Sequence, residues 1–243
     1  VSVVRSALFF VYLCSWTVIL STIYIPLLVM PRIWTVVAAR FWLSGVLVGL
    51  RFLVGLTWEL RGAELIPEGA IIVASKHQST FETFAFRRVF PDPAFILKKE
   101  LLWIPFFGWY LFKSGVIAID RSAGTRALKE MVKGASVAAA KRRQLVIFPE
   151  GTRAAPGKKL PYHSGVAMLY GSQNLPVVPI ALNSGVYWPR GGFLKRPGKI
   201  IIEVLPIIPP GLDRKTFMAE LENRIETASD RLVAEAMHAI GEK

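Results

Sequence analysis

The chain has 243 residues, 53% of them hydrophobic, a formal net charge of +13 and one cysteine. That length holds one large domain with its own core and a short appendage; the apolar excess points to a membrane and the positive charge to anionic partners. Cys14 alone excludes an intrachain disulfide and leaves a reducing compartment open, while the absence of CxxC, HExxH and GxSxG patterns argues against zinc and against a serine hydrolase.

The first element is a run of 26 uncharged residues, Ser6 to Pro31. As a helix it would reach about 39 Å, enough to cross a hydrocarbon core of about 30 Å. Pro26 is expected to kink or shorten it. A secretory signal is set aside, because the apolar region is too long and no cleavage site follows. A second apolar stretch, Ile33 to Trp58, is interrupted by Arg40 and Arg51. Eleven residues apart, these arginines fall on one helical face with Ser44 nearby, which suits a helix in the headgroup zone with outward-snorkelling arginines. The expectation is a hairpin that enters one leaflet and returns, so that neither arginine sits at the bilayer centre, with a second full crossing as the alternative. Residues 1–58 are thus read as membrane-anchoring helices and 59–243 as a second domain.

From Glu59 the pattern changes to short β-branched strands between helices. The strands are predicted at Ala70–Ala74, Ala94–Leu97, Val116–Ile119, Leu145–Phe148, Val177–Leu182 and Lys199–Leu205. Helices are predicted from Gly124 to Arg143, with Ser122 as N-cap, and from Ser164 to Ser172. The tail from Asp213 to Ile240 carries Phe217, Leu221, Ile225, Ala228 and Leu232 on one stripe. The fold class is α/β: a mostly parallel or mixed sheet flanked by helices, behind an N-terminal membrane-embedded helical hairpin. No nucleic-acid motif is present.

Four stretches can carry chemistry. In SKHQSTFET, His77 follows a strand and Glu82 lies five positions on. The two meet only if the histidine precedes a helix that Ser79 or Thr80 caps, and the H-x4-[D/E] spacing alone is weak. In LVIFPEGTR a strand ends in a tight polar loop, where Gly151 lets amides approach an anion and Arg153 offers a phosphate fork. SGVIAIDRS delivers Asp120 and Arg121 to another strand end, and LPVVPIALN reads as a buried strand.

The ordered set HQSTFE, GVIAIDR, FPEGTR and VVPIAL resembles the four blocks of the glycerolipid acyltransferase family, over roughly residues 70–183. The likeness is strongest to the bacterial 1-acylglycerol-3-phosphate, or lysophosphatidic acid, acyltransferases. The resemblance implies transfer of a fatty acyl group from acyl-CoA or an acyl carrier protein to a lysophospholipid hydroxyl at a phospholipid membrane, with no metal and no bound cofactor. It implies His77 as general base and Glu82 as its orienting acid. Gly115 and Arg121 match the block that binds glycerol phosphate; Glu150, Gly151, Thr152 and Arg153 match the second phosphate block. Pro179 matches the block placed near the acyl donor. A bacterial inner membrane, with the catalytic domain on the cytoplasmic side, follows from the same likeness. The sequence departs from the pattern at Glu82, where aspartate is usual, and at Ala118, where a bulky aromatic is common.

The uncharged run Leu101 to Phe112 holds six aromatic residues between Lys98–Lys99 and Lys113, and reads as a membrane-dipping surface or an acyl channel. Two other readings stay open: an acyltransferase for another lysolipid such as lyso-ornithine lipid, and a non-catalytic membrane protein that binds phospholipid.

Overall fold

The computed structural model describes residues 2–241. Helix α1 (Ser2–Ile23) gives way to a 3-10 turn, Ile25–Leu28, where Pro26 lacks the amide a continuing helix needs. Helix α2 (Arg32–Gly49) returns alongside it. The expected hairpin is present, and its seam is specific. Tyr12 donates to the Gly45 carbonyl (3.0 Å), Trp16 to the Trp42 carbonyl (2.9 Å), and Trp42 to Thr17 Oγ1 (3.0 Å). Gly45 and Gly49 make room for these rings, since a Cβ at either would lie 2.4 Å from Trp16 or Tyr12.

The second apolar stretch ends sooner than its composition suggests. A π-helical turn, Leu50–Val54, closes on Gly55 at φ +77°, and strand β1 (Leu56–Arg61) starts there. A left-handed glycine turns the chain out of the helix without steric cost. Arg40 does not snorkel outward as expected. It donates to the carbonyls of Phe90 (3.3 Å) and Pro91 (2.7 Å), tying the hairpin to the following domain, while Arg51 stays exposed beside the Phe52 ring.

The remaining elements are β2 (Ile71–Ser75), α3 (Phe81–Val89), β3 (Pro93–Lys98), α4 (Phe107–Lys113), β4 (Ile117–Ile119), α5 (Thr125–Ala140), β5 (Gln144–Ile147), α6 (Gly165–Gln173), β6 (Val177–Leu182), α7 (Ser184–Tyr187), β7 (Gly198–Val204) and α8 (Arg214–Gly241). Seven strands form one mixed sheet in the order β1-β7-β6-β2-β5-β3-β4. All neighbouring pairs are parallel except β6–β7. The six predicted strands are present, and β1 is an addition at the edge. Ser122 does not cap α5; Gly124 holds that position, and the Asp120 carboxylate instead accepts from the Ser122 amide (3.0 Å).

Alternation along the strands builds two cores. Ile72, Ala74, Leu145 and Ile147 face α5, α6 and the Phe217–Leu221–Ile225–Leu232 stripe of α8. Ile71, Val73, Val146 and Val178 face α3 together with Phe9, Val46, Leu50 and Val54 of the hairpin. The hairpin's base is therefore part of the fold's own core. Its outer face exposes Leu8, Phe10, Val11, Val18, Ile19, Trp34, Val37 and Phe41, and Trp103, Phe106, Trp109 and Phe112 are exposed around α4. α1, and α2 taken with the π turn that continues it, are both long and apolar enough to cross a membrane, and lipid contact is what so large an apolar face calls for.

Replacing Gly45 with Ala sets a methyl group into the Trp16 ring. It is expected to lower stability by about 1–3 kcal/mol, read as a lower unfolding temperature in detergent, with Gly171→Ala, where nothing lies near the added methyl, as the control.

Candidate active site

The central strand β2 ends at Ser75, and the chain crosses Lys76-His77-Gln78-Ser79-Thr80 before α3 begins at Phe81. This break lets a residue outside the helix meet one in its first turn. Glu82, fully buried, turns its carboxylate back over the loop. Oε1 accepts from the amides of Gln78 (2.7 Å) and Ser79 (2.6 Å) and lies 2.9 Å from His77 Nδ1. Oε2 accepts from Ser184 Oγ (2.8 Å) at the start of α7. Ser79 Oγ, rather than Thr80, accepts from the first helical amide at Phe81 (3.2 Å).

A carboxylate can only accept, so Nδ1 carries a proton, and in the neutral ring this tautomer leaves the Nε2 lone pair free. The imidazole stacks on Phe148, with centroids 3.9 Å apart and planes 17° apart. Its backbone is bound on both sides to the FPEGTR segment: the His77 amide donates to Glu150 Oε2 (3.1 Å), and its carbonyl accepts from Ala154 (2.7 Å). The two motifs thus close into one unit at adjacent strand ends.

His77 lines a cavity of about 510 Å³. Arg121, Gly151, Thr152, Arg153 and Arg190 line it too, and Arg87 on α3 is the fourth arginine that shares the cavity with the imidazole. Arg121 donates to the Gly151 carbonyl and Arg190 to the Arg153 carbonyl (3.1 Å), which fixes the loop and leaves donors over. Burial lowers the Arg121 pKa against the charge of Glu100. Gly151 sits at φ +63°, and a Cβ there would fall 2.8 Å from the His163 ring, so the turn requires glycine. The remaining wall is largely apolar, from α1 (Leu20), α2 (Ala38, Leu43), α3 (Phe84) and β3 (Ile96).

Three residues picked out by the motifs lie elsewhere. Glu150 is buried and does not line the cavity. It accepts from Lys76 Nζ (2.8 Å), and Lys76 also bonds both oxygens of Glu226 on α8 (2.8 Å each). Tyr162 completes the group by donating to Glu226 (2.9 Å). Burial holds the Glu150 carboxyl above the usual carboxylate range, opposed by Lys76 and the His77 amide. Glu150 is therefore placed to hold the loop and the histidine backbone. Gly115, at φ +72°, offers its carbonyl to Arg143 (2.7 Å) behind the cavity wall. Pro179 is buried in β6 opposite Ala74, and its carbonyl accepts from Leu205 (3.0 Å).

Four contributors were not singled out from the sequence as site residues. Ser184 holds Glu82, Lys76 holds Glu150, Arg190 joins the cationic wall, and Lys98 at the end of β3 lines the cavity. Only Lys98 carried a signal, as a basic flank of the aromatic run. No His, Cys, Asp and Glu cluster fit for a metal occurs among the described residues.

A partly buried imidazole held by a carboxylate, beside guanidinium groups and an apolar cavity, is an arrangement able to take a proton from a hydroxyl of an anionic amphiphile. The sequence profile described as Acyltransferase matches residues 57–183. The chain is 40% identical over 194 residues to the 1-acyl-sn-glycerol-3-phosphate acyltransferase of Pseudomonas aeruginosa, covering 80% of this chain and 73% of that protein. It is 31% identical to the enzyme of that name from Saccharomyces cerevisiae, over 64% of this chain and 53% of the yeast protein. The crystal structure of the 1-acyl-sn-glycerophosphate acyltransferase from Thermotoga maritima shares the fold, with a TM-score of 0.75 at 21% identity over 94% of this chain and 97% of that one. The chain belongs to the acyltransferase family and is an enzyme of that class.

Ser184→Ala removes one bond from a buried carboxylate, worth about 1.5–3 kcal/mol, so kcat is expected to fall roughly ten- to a hundredfold with KM little changed, and Ser184→Thr to restore most of it. Steady-state kinetics of the two variants check this. Lys76→Met leaves Glu150 and Glu226 buried without their cation and is expected to cost about 3–5 kcal/mol of stability, read by thermal unfolding.

Proposed function

We propose that the protein transfers a fatty acyl group from a thioester donor, acyl-CoA or an acylated carrier protein, to the sn-2 hydroxyl of lysophosphatidic acid. The product is phosphatidic acid. The observation that carries this reading is the His77 Nδ1–Glu82 bond of 2.9 Å at the wall of a cavity shared with Arg121, Arg153 and Arg190.

In this reading the acceptor phosphate rests against the guanidinium groups, which match it as planar forks. Its hydroxyl is thereby held beside His77, and attack on the thioester becomes effectively intramolecular. Nε2 takes the hydroxyl proton as oxygen bonds to the carbonyl carbon, and Glu82 stabilises the imidazolium. The carbon–sulfur bond then breaks. A thiol pKa of about 8.5 makes the thiolate a fair leaving group, and the imidazolium returns the proton to it. No acyl-enzyme is needed, and Cys14 sits exposed on α1, outside the residues lining the cavity. The apolar part of the cavity takes the acyl chain. The hairpin dips into one leaflet, and the catalytic domain lies on the cytoplasmic side of a bacterial inner membrane.

Purified protein in vesicles, given labelled acyl thioester and lysophosphatidic acid, tests the proposal. His77→Ala is expected to lower kcat by about 10²–10⁴-fold, and undiminished transfer would remove the histidine from the chemistry. Arg153→Ala is expected chiefly to raise the KM for the acceptor, about tenfold or more. An unchanged acceptor KM would point to another headgroup, such as that of a lyso-ornithine lipid. Binding of lysolipid with no transfer from any donor would leave a phospholipid-binding protein.

A further inference from the structure

We infer that the inner wall of the cavity is a subsite for an acyl chain that carries an oxygen, as a hydroxyl or a carboxylate, on its distal part. The inference rests on the reading that this cavity takes the acyl chain.

α3 lines the cavity with Thr80, Thr83, Phe84 and Arg87, one helical stripe that starts beside His77. The seven steps from Thr80 to Arg87 span about 10 Å along the helix, a distance reached by the middle or end of a chain and not by its first carbons. Most of the wall there is hydrocarbon or aromatic. Among it stand the hydroxyls of Thr35, Thr83 and Ser114 and one charged group, Arg87, which is poorly matched by its surroundings. Its one hydrogen bond among the described residues runs from Nη2 to Ser114 Oγ (3.2 Å), and its guanidinium lies 5.2 Å from the Phe95 ring centre.

The nearest carboxylate does not compensate it. Asp92 is already paired with two other guanidinium groups, those of Arg32 (3.0 Å) and Arg143 (3.1 Å). Three cations therefore share one anion, and Arg87 is the one that makes no bond to it. Burial, with the neighbouring Arg143 charge, lowers the Arg87 pKa to about 10, so it remains charged near neutral pH. Thr35 of α2 lines the same cavity, and its buried hydroxyl has no hydrogen-bond partner among the described residues.

A methyl terminus pressed against this wall would leave the spare guanidinium donors without an acceptor, a state that costs free energy. A hydroxyl or carboxylate oxygen at that depth supplies the missing acceptor. One charge-assisted hydrogen bond of that kind corresponds to a preference of about tenfold. The subsite thus makes Arg87 a specificity-determining residue for the donor chain.

The test is a competition in vesicles with lysophosphatidic acid and equal amounts of two donors, decanoyl-CoA against ω-hydroxydecanoyl-CoA, and in a second arm against the ω-carboxy donor. Products are read by mass spectrometry. The wild type is expected to favour at least one oxygenated donor by about tenfold, with the two arms separating hydroxyl from carboxylate, and Arg87→Met to favour the plain one. A wild-type ratio at or below one in both arms overturns the subsite, as does the same ratio in Arg87→Met. If Arg87→Met fails to fold by circular dichroism, the wild-type ratios decide alone. Transfer of the plain decanoyl group shows that the acyltransferase reading stands when the subsite fails; no transfer from any donor overturns both.

Discussion

The structure depends on one buried carboxylate. Glu82 has four hydrogen-bonding partners: the His77 ring, two amides of the loop it caps, and the Ser184 hydroxyl. An ionised carboxylate with no exposure is tolerated only when its lone pairs are used, and here each bond also fixes something the chemistry needs. The amides set the shape of the strand-to-helix loop, the ring bond sets the tautomer, and Ser184 ties both to the end of β6. The side chain is one methylene longer than aspartate, and the backward turn over Gln78 and Ser79 accommodates that length.

The second support is the Lys76 cluster. Lys76 and His77 are neighbours at the end of a strand, so their side chains diverge. His77 points to the cavity, and Lys76 points to Glu150 and to Glu226 on α8. The carboxylate that pairs with the lysine also accepts from the histidine amide. The FPEGTR loop is thereby held to the histidine by charge-assisted bonds, and α8, far along the chain, becomes part of the support for the catalytic edge. This explains how Glu150 can support the loop without lining the cavity.

What was legible in the sequence follows from contiguity. Strand alternation, the repeat of the α8 stripe and the residues within each motif are patterns of near neighbours, and the predicted strands and the α8 stripe are present in the fold. The His77–Glu82 pairing was visible as a spacing because the two are five residues apart. Ser184 is 102 residues from Glu82, and Glu226 is 150 from Lys76, so no local pattern could show either contact. Strand β1 alternates apolar Leu56, Trp58 and Leu60 with polar Thr57, Glu59 and Arg61, but its start was absorbed into the apolar stretch read from Ile33 to Trp58, although Gly55 marks the break. Arg40 was misjudged for a related reason. Its partners are backbone carbonyls, which a sequence does not advertise, and a polar residue on an apolar helix looks the same whether it faces headgroups or a neighbouring loop.

The hairpin unites these parts because it has three faces. One packs Phe9, Val46 and Leu50 into the core over the sheet, a second exposes an apolar surface, and a third carries Thr17, Leu20, Ser21, Ala38, Ala39 and Leu43 to the cavity. A wall shared between cavity and apolar exterior changes the energetics of substrate entry. If that exterior rests in lipid, as proposed, an acyl chain moving from the bilayer to the imidazole exchanges one apolar surround for another and need not expose its length to water. The cost avoided is about 0.8 kcal/mol per methylene. The arginines at the polar wall then hold the phosphate at the level where headgroups already lie. In that reading anchoring and substrate binding are one arrangement, because the same two helices form an apolar outer face and a wall of the cavity.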